Sequence, residues 1–312
     1  TRHMLTELDP KPDCVTIATG TTQWDVMSMM LPEDIVGTHL ENNPEVQAAW
    51  AGMWVDAGPA FYLEHLKRLR AHKIQPYFVP GHIHQWELIE RLIRAGLADA
   101  VVVGGVDTLC GSVLFGFNSL ELLSTQACRP FDRHRDGINL GEAGGFALLE
   151  SEQGPGPWLL GYGESSDAYH MSSPDPEGVG ARLALRDALA RAGCSAGQID
   201  YINLHGTASQ KNDEMEARIV AEHFPARTLA SSTKSFSGHT LGAAGVLESV
   251  ITLLALDAQF VPGTLNCVEL DPACGPQIQR DNRDADLLLA LNFSFGFGGS
   301  NCVLLFGRER PE

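Results

Sequence analysis

The chain has 312 residues, 44% of them hydrophobic and 20% charged, which is enough to bury a large core as one big domain or two closely packed halves. A formal net charge of −17, with no run of lysine or arginine, excludes nucleic acid and anionic membrane as partners. No signal peptide and no apolar run of about 18 residues are read in the sequence, so no membrane span is expected. The seven cysteines are scattered and contain no C-x-x-C pair. That pattern points to reduced thiols in a cytoplasmic protein, with no disulfide framework, metal or cofactor. Thr1-Arg-His ahead of Met4 reads as a tag remnant, which places the native start at Met4.

Strands and helices alternate, the mark of an α/β protein. Cys14 to Ala18 is a short β-rich run, and Pro76 to Val79 a second one that ends in a Pro-Gly turn. His82 and His84 follow at i, i+2, a spacing that turns them to different faces of a helix and argues against a two-histidine metal clip. Apolar residues at Trp86, Leu88, Ile89, Leu92 and Ile93 predict a helix over Gln85 to Ala95, closed by Gly96. Ala100 to Val103 predicts a buried strand running into Gly104-Gly105, and Arg182 to Ala192 a helix closed by Gly193. Tyr201 to Leu204 predicts a strand delivering His205, and Gly242 to Leu256 a largely apolar helix suited to burial between layers. Two segments echo one another: Gly141 to Glu150 and Gly296 to Phe306 each place Gly-Gly before a buried strand, about half a chain apart, which hints at duplication.

Chemistry concentrates in the second half. Asn203 to Ala217 (N-L-H-G-T-A-S-Q-K-N-D-E-M-E-A) puts His205 at a strand end before an acidic helix start. Ser231 to Gly245 (S-S-T-K-S-F-S-G-H-T-L-G-A-A-G) carries Lys234 and His239 ahead of the apolar helix, near whose N-terminus a histidine is kept neutral by the dipole. Glu248 lies further along that helix. Asn292 to Asn301 (N-F-S-F-G-F-G-G-S-N) is a glycine-rich turn whose amides suit a pocket wall or an oxyanion. It precedes a strand rather than a helix, which disfavours a dinucleotide site. Taken singly, a histidine after a strand is more often structural, and a glycine-rich turn more often only a turn.

Together these segments resemble the β-ketoacyl synthases of fatty-acid and polyketide assembly. R-P-F-D-R-H-R-D-G-I-N-L-G-E-A-G-G (129–145), S-S-D-A-Y-H-M-S-S-P (165–174), H-G-T, S-T-K-S-x-x-G-H and F-G-F-G-G-S-N carry the resemblance in order. It implies a thiolase-like fold, two pseudo-duplicated halves in α-β-α-β-α layers, here residues 4–164 and 165–312, with the first half truncated at its N-terminus. It also implies a cysteine nucleophile that carries the growing acyl chain and two histidines that assist decarboxylation of malonyl on an acyl carrier protein. His205 and His239 match that pair, Lys234 and Glu248 the polar support around it, and Phe297 the gatekeeper of the glycine-rich turn.

The nucleophile is missing. Counting back along L-I-E-R-L-I-R-A-G (88–96) places its position at Val79, or at Pro80 with the strand as ruler. Neither is nucleophilic; Cys110 lies beyond the Gly-Gly and Cys128 in the Arg-Pro-Phe-Asp turn, so neither replaces it. The resemblance therefore narrows to the chain length factor of type II polyketide synthases, a subunit that pairs with an active ketosynthase and shares its tunnel. Acyl carrier protein would then be reached mainly through that partner. Trp50, Met53 and Trp54 are candidate tunnel-limiting side chains, with core packing at helical spacing as the plainer explanation. The alternative is a malonyl-acyl carrier protein decarboxylase that uses the retained histidines.

Overall fold

The computed structural model describes residues 98–151 and 156–309, together with Cys14–Thr19, Gln75–Pro80 and short helical pieces at 67–68, 71, 89–90 and 93–96. The chain divides into two compact units, residues 1–101 and 102–312. In the first, β1 (Cys14–Thr19) and β2 (Gln75–Pro80) pair in parallel, in register from Cys14 opposite Gln75 to Thr19 opposite Pro80. Both strands fall where the β-branched and aromatic runs predict them. The helical residues 89–90 and 93–94 lie within the stripe expected over 85–95, and Gly96, at φ 63°, takes the left-handed position that ends it.

The second unit is built around a mixed five-stranded sheet in the order β5-β11-β10-β6-β7, from β5 (Trp158–Ser166), β6 (Tyr201–Asn203), β7 (Leu229–Ser231), β10 (Leu289–Gly296) and β11 (Ser300–Gly307). The hairpin β10–β11 and the pair β11–β5 are antiparallel, whereas β6 joins β10 and β7 in parallel. Alternation along β10 assigns the two faces. Leu291, Phe293 and Phe295 face a core shared with Ala184, Leu185 and Ala188 of one helix (Val179–Ala192) and Met215, Ile219 and Val220 of another (Gln210–His223). Asn292 points the other way and donates to Ser249 Oγ at 3.3 Å on the helix Ala244–Ala258. That helix also packs on β4 (Ala143–Glu150), the partner of β3 (Ala100–Asp107), and β8 (Phe260–Val261) and β9 (Arg283–Asp284) form a separate antiparallel pair. The layers thus run helices, sheet, helix, ladder, the order of a thiolase-like fold.

Numbered in chain order, the described helices of the second unit are α1 (Gly111–Ser119), α2 (Val179–Ala192), α3 (Gln210–His223), the single turn α4 (Lys234–Ser237) and α5 (Ala244–Ala258). Glycines set the closest approaches between layers. A Cβ at Gly163 would lie 1.8 Å from the Ala184 carbonyl, so α2 rests directly on the backbone of β5. A Cβ at Gly105 would lie 2.4 Å from the Gly242 carbonyl. Gly104-Gly105 therefore continue β3 instead of ending it, and the strand is longer than the Ala100–Val103 expected. The two echoes also differ: Gly144-Gly145 lie inside β4, while Gly298-Gly299 form the turn ahead of β11.

One sequence expectation is corrected here. Leu241–Ala258 does supply an 18-residue helical stretch of mean hydropathy 1.7, long and apolar enough by composition to cross a membrane. It packs on β10 and β4 and carries Glu248 buried against Lys234, with a third of the stretch (33%) buried.

Replacing Gly163 by alanine forces α2 off the sheet. A loss of about 3 kcal/mol of unfolding free energy is expected, measured by urea denaturation, whereas alanine at Gly193, where no atom lies within 4 Å and only the left-handed backbone (φ 65°) resists, costs about 1 kcal/mol.

Candidate active site

Parallel strands β6 and β7 end side by side, and the chain that leaves each of them carries the site. β6 delivers His205 directly, as its apolar run predicts, and β7 leads through Ser232-Thr233 into α4 and then to His239. The two imidazole rings meet edge to face, with centroids 5.2 Å apart. Phe295 of β10 closes the other side of His205 at 6.1 Å.

Each histidine is held by its backbone. The Glu216 carboxylate on α3 accepts the His205 N–H at 2.6 Å and the Gly206 N–H at 2.8 Å. It also accepts from the Asn212 amide at 3.1 Å. Burial pushes Glu216 up to about 8, with the neighbouring Asp213 adding to the shift and the two backbone donors opposing it. His239 donates its N–H to the Asn139 carbonyl at 2.7 Å, and its own carbonyl accepts the Gly141 N–H at 3.0 Å. The 139–141 stretch of the R-P-F-D-R-H-R-D-G-I-N-L-G motif thereby fixes His239 as a short parallel bridge.

Both rings are kept neutral. Burial takes His205 well below the usual imidazole range, and the Lys234 ammonium and His239 push the same way. Burial, then Lys234, takes His239 down to about 3. The sequence assigned this to the dipole of the apolar helix. A 3₁₀ turn (Leu241–Ala243) separates His239 from α5, and desolvation with a nearby ammonium does the work. The Leu241 N–H approaches His239 Nδ1 at 3.4 Å, so Nδ1 accepts and Nε2 carries the proton of the neutral ring. His205 Nδ1 finds no hydrogen-bond partner among the described residues.

Lys234 and Glu248 form an ion pair with both side chains almost fully buried. Burial raises the Glu248 carboxyl, and Lys234 opposes that rise. Around the pair, Asn203 donates to the Glu248 carbonyl at 3.1 Å and Thr252 to the same carbonyl at 2.7 Å. A second buried cation, Arg135, reaches Asp271 at 2.6 Å and Asp213 at 3.7 Å, linking the 129–137 turn to α3 beside Glu216.

The structure brings His205, His239, Lys234 and Glu248 together. Phe297 sits in the turn between β10 and β11, half-exposed, with its ring stacked on Phe117 of α1 at 5.4 Å. Val79 and Pro80 are the last two residues of β2. Trp50, Met53 and Trp54 lie outside the described residues. Among the described residues no cluster of His, Cys, Asp and Glu could hold a metal. Sequence reasoning missed Glu216, Asn139 and Phe117. Glu216 had a signal, a carboxylate one turn beyond Asp213 on a helix that starts just after His205; Asn139 lies within the 129–145 motif, though nothing there pointed to His239, and Phe117 had no signal.

Residues 158–268 match the β-ketoacyl synthase C-terminal domain, and residues 85–154 match the β-ketoacyl synthase N-terminal domain, in chain order and over more than half of the sequence. The chain belongs to the β-ketoacyl synthase family. It is 39% identical over 233 residues to 3-oxoacyl-(acyl-carrier-protein) synthase 2 of Mycobacterium tuberculosis, an alignment covering 69% of this chain and 56% of that protein. The chain thus spans a little over half the length of the curated relatives it matches. Among solved structures, a ketosynthase in complex with its chain length factor from Xenorhabdus doucetiae matches with a TM-score of 0.70 and 40% identity, over 78% of this chain and 63% of that one. The ishigamide ketosynthase/chain length factor matches with a TM-score of 0.69 and 27% identity, over 94% of this chain and 74% of that one.

Two outcomes follow for a β-ketoacyl synthase chain built this way. Lys234→Ala strands a buried carboxylate and is expected to cost about 3–5 kcal/mol, while Lys234→Met combined with Glu248→Leu recovers most of that loss in urea titrations. His239 has its folded pKa below its unfolded value, so its contribution to stability is complete above about pH 6.5 and drains away as pH falls toward about 3. Between those limits His239→Gln is expected to lower the proton uptake on unfolding by about one proton, read from the slope of unfolding free energy against pH.

Proposed function

We propose that this chain is the non-nucleophilic subunit of a two-chain condensing enzyme, a chain length factor that pairs with an active ketosynthase and bounds the tunnel for the growing chain. The observation that carries this reading is the strand end at Val79-Pro80, which offers no thiol where the family resemblance puts the nucleophile. Two of the structures it resembles pair a ketosynthase with a chain length factor, which supports the same reading. In such a pair the partner's cysteine takes the acyl chain as a thioester; the carbanion left when malonyl loses carbon dioxide attacks the thioester carbonyl, forming the new carbon–carbon bond as the cysteine thiolate leaves. This chain contributes interface and bulk: family-type dimers use the same patch on both subunits, so one subunit can lose its chemistry and keep the contact. Acyl carrier protein docks mainly on the partner, and Trp50, Met53 and Trp54 are the candidates for the tunnel floor.

The specific support for a second reading is the neutral pair His205–His239, with centroids 5.2 Å apart. Two neutral imidazoles beside a buried ammonium are suited to donating hydrogen bonds to the enolate oxygen formed as malonyl loses carbon dioxide. A malonyl-carrier decarboxylase needs no thiol for that step.

Co-expression with a ketosynthase from the same biosynthetic cluster separates the two. The first reading expects a stable one-to-one complex whose malonyl extension requires both chains and the partner's cysteine, with His205→Ala in this chain changing the rate less than threefold. If this chain alone releases carbon dioxide from malonyl-carrier protein and His205→Ala abolishes the release, the second reading replaces it.

A further inference from the structure

Two main-chain hydrogen bonds tie His239 to residues 139–141: its N–H donates to the Asn139 carbonyl at 2.7 Å, and its carbonyl accepts the Gly141 N–H at 3.0 Å. The two segments run very close. A Cβ at Gly141 would lie 2.0 Å from the Ser237 carbonyl, and one at Gly238, where φ is 71°, would lie 2.8 Å from the Gly141 nitrogen. With no slack between them, a shift of residues 139–141 is passed on to His239.

The Asn139 side chain acts on the other side of the same residue. Its Oδ1 accepts the Cys128 N–H at 2.7 Å, and its Nδ2 donates to the carbonyls of Gln126 at 3.0 Å and Ser124 at 3.3 Å. One amide thus satisfies main-chain groups of both polarities in a stretch, 124–128, that forms no helix or strand. Cys128, at the end of that stretch, is buried. Its carbonyl accepts from the Asn266 amide at 3.0 Å, and its Sγ lies 3.9 Å from the Lys234 carbonyl. Lys234 opens α4, and the Gly238 N–H closes that turn on the same carbonyl at 2.8 Å. The contacts form a ring: from the Asn139 side chain to Cys128, across to Lys234, along α4 to His239 and back to the Asn139 carbonyl. One residue therefore holds both ends of the turn that presents His239.

We propose that Asn139 is a positioning residue for His239: its side-chain amide fixes the 124–128 stretch and so locks the carbonyl that sets the His239 backbone and, through it, the tautomer of the ring. The proposal deepens the reading of His205 and His239 as the reacting pair and rests on it. Donation from Nε2 to a developing oxyanion requires Nδ1 to stay unprotonated. The Leu241 N–H reaches Nδ1 only at 3.4 Å, so a small backbone shift releases it.

The test is heteronuclear NMR of the full chain with isotopically labelled histidines, which reads the main-chain N–H and the ring nitrogens of each. His239 is assigned by its loss in His239→Gln. His205, whose N–H is held by Glu216, is the internal reference in the same spectra. In the unaltered chain His239 is expected as the single Nε2–H tautomer. Asn139→Ala is expected to speed hydrogen exchange of the His239 N–H about tenfold, the loosening that follows when buried main-chain groups lose their partner. The His205 N–H keeps its rate, and the His239 ring becomes a mixture of both neutral tautomers. Asn139→Asp keeps the acceptor for Cys128 but turns an oxygen toward the Ser124 and Gln126 carbonyls, and is expected to give the same signature. Gly193→Ala, which lowers stability away from this ring of contacts, leaves His239 as in the unaltered chain. The proposal is overturned if the His239 ring is already a mixture in the unaltered chain, or if its exchange and tautomer are unchanged in either folded Asn139 variant. Equal quickening of the His205 N–H, or the same signature from Gly193→Ala, overturns it too. The spectra need neither partner nor carrier protein, so their failure is distinguishable from failure of either functional reading, which the co-expression assay addresses.

Discussion

The burial of Lys234 against Glu248 is the constraint around which the second unit is arranged. Two opposite charges removed from water are tolerated when each has the other, and here one oxygen of Glu248 meets the Lys234 ammonium. That requirement holds the start of α4, at Lys234, against the face of α5 that carries Glu248. Asn203 and Thr252 take up the Glu248 carbonyl, so the same position anchors the helix through its main chain as well as its side chain. The ammonium also helps hold both histidines neutral, which couples the folding of this layer to the protonation state of the site.

Much of this layer could be read from the sequence because its signals are local. The apolar run Tyr201 to Leu204 ends at a histidine, the Gly193 cap closes α2, and the S-T-K-S-x-x-G-H segment keeps its polar residues at fixed spacing. Long-range effects were less legible. The glycines at 104 and 105 read as a strand end because glycine usually breaks a strand, but here Gly105 admits the Gly242 carbonyl from another layer and Gly104 the Phe146 ring of the neighbouring strand. The length of β3 is set by a contact 137 residues away, which no window along the chain contains.

The site divides in the same way. Its titrating side chains were visible because the motif spacing preserves them, whereas its supports were not. Asn139 holds His239 through a backbone carbonyl, a contact that no side-chain pattern along the chain displays. Phe117 carries no polar group and lies on a short helix without a helical stripe of buried residues. The apolar α5 was legible as a helix packed between layers, although its hydropathy alone is that of a membrane span and it is the contacts with β10 and β4 that assign it its place.

Glu216 grips the peptide groups of His205 and Gly206 and leaves the imidazole itself untouched. The strand end is therefore shaped by a carboxylate that is indifferent to which side chain it presents. A scaffold organised like this separates the geometry of its reaction chamber from the occupants of that chamber. Gene duplication can then convert one copy into a non-reacting companion by exchanging a single occupant while the chamber walls stay in place. Inert subunits are an accessible product of such an architecture, and the same separation makes the chamber open to re-equipping by design.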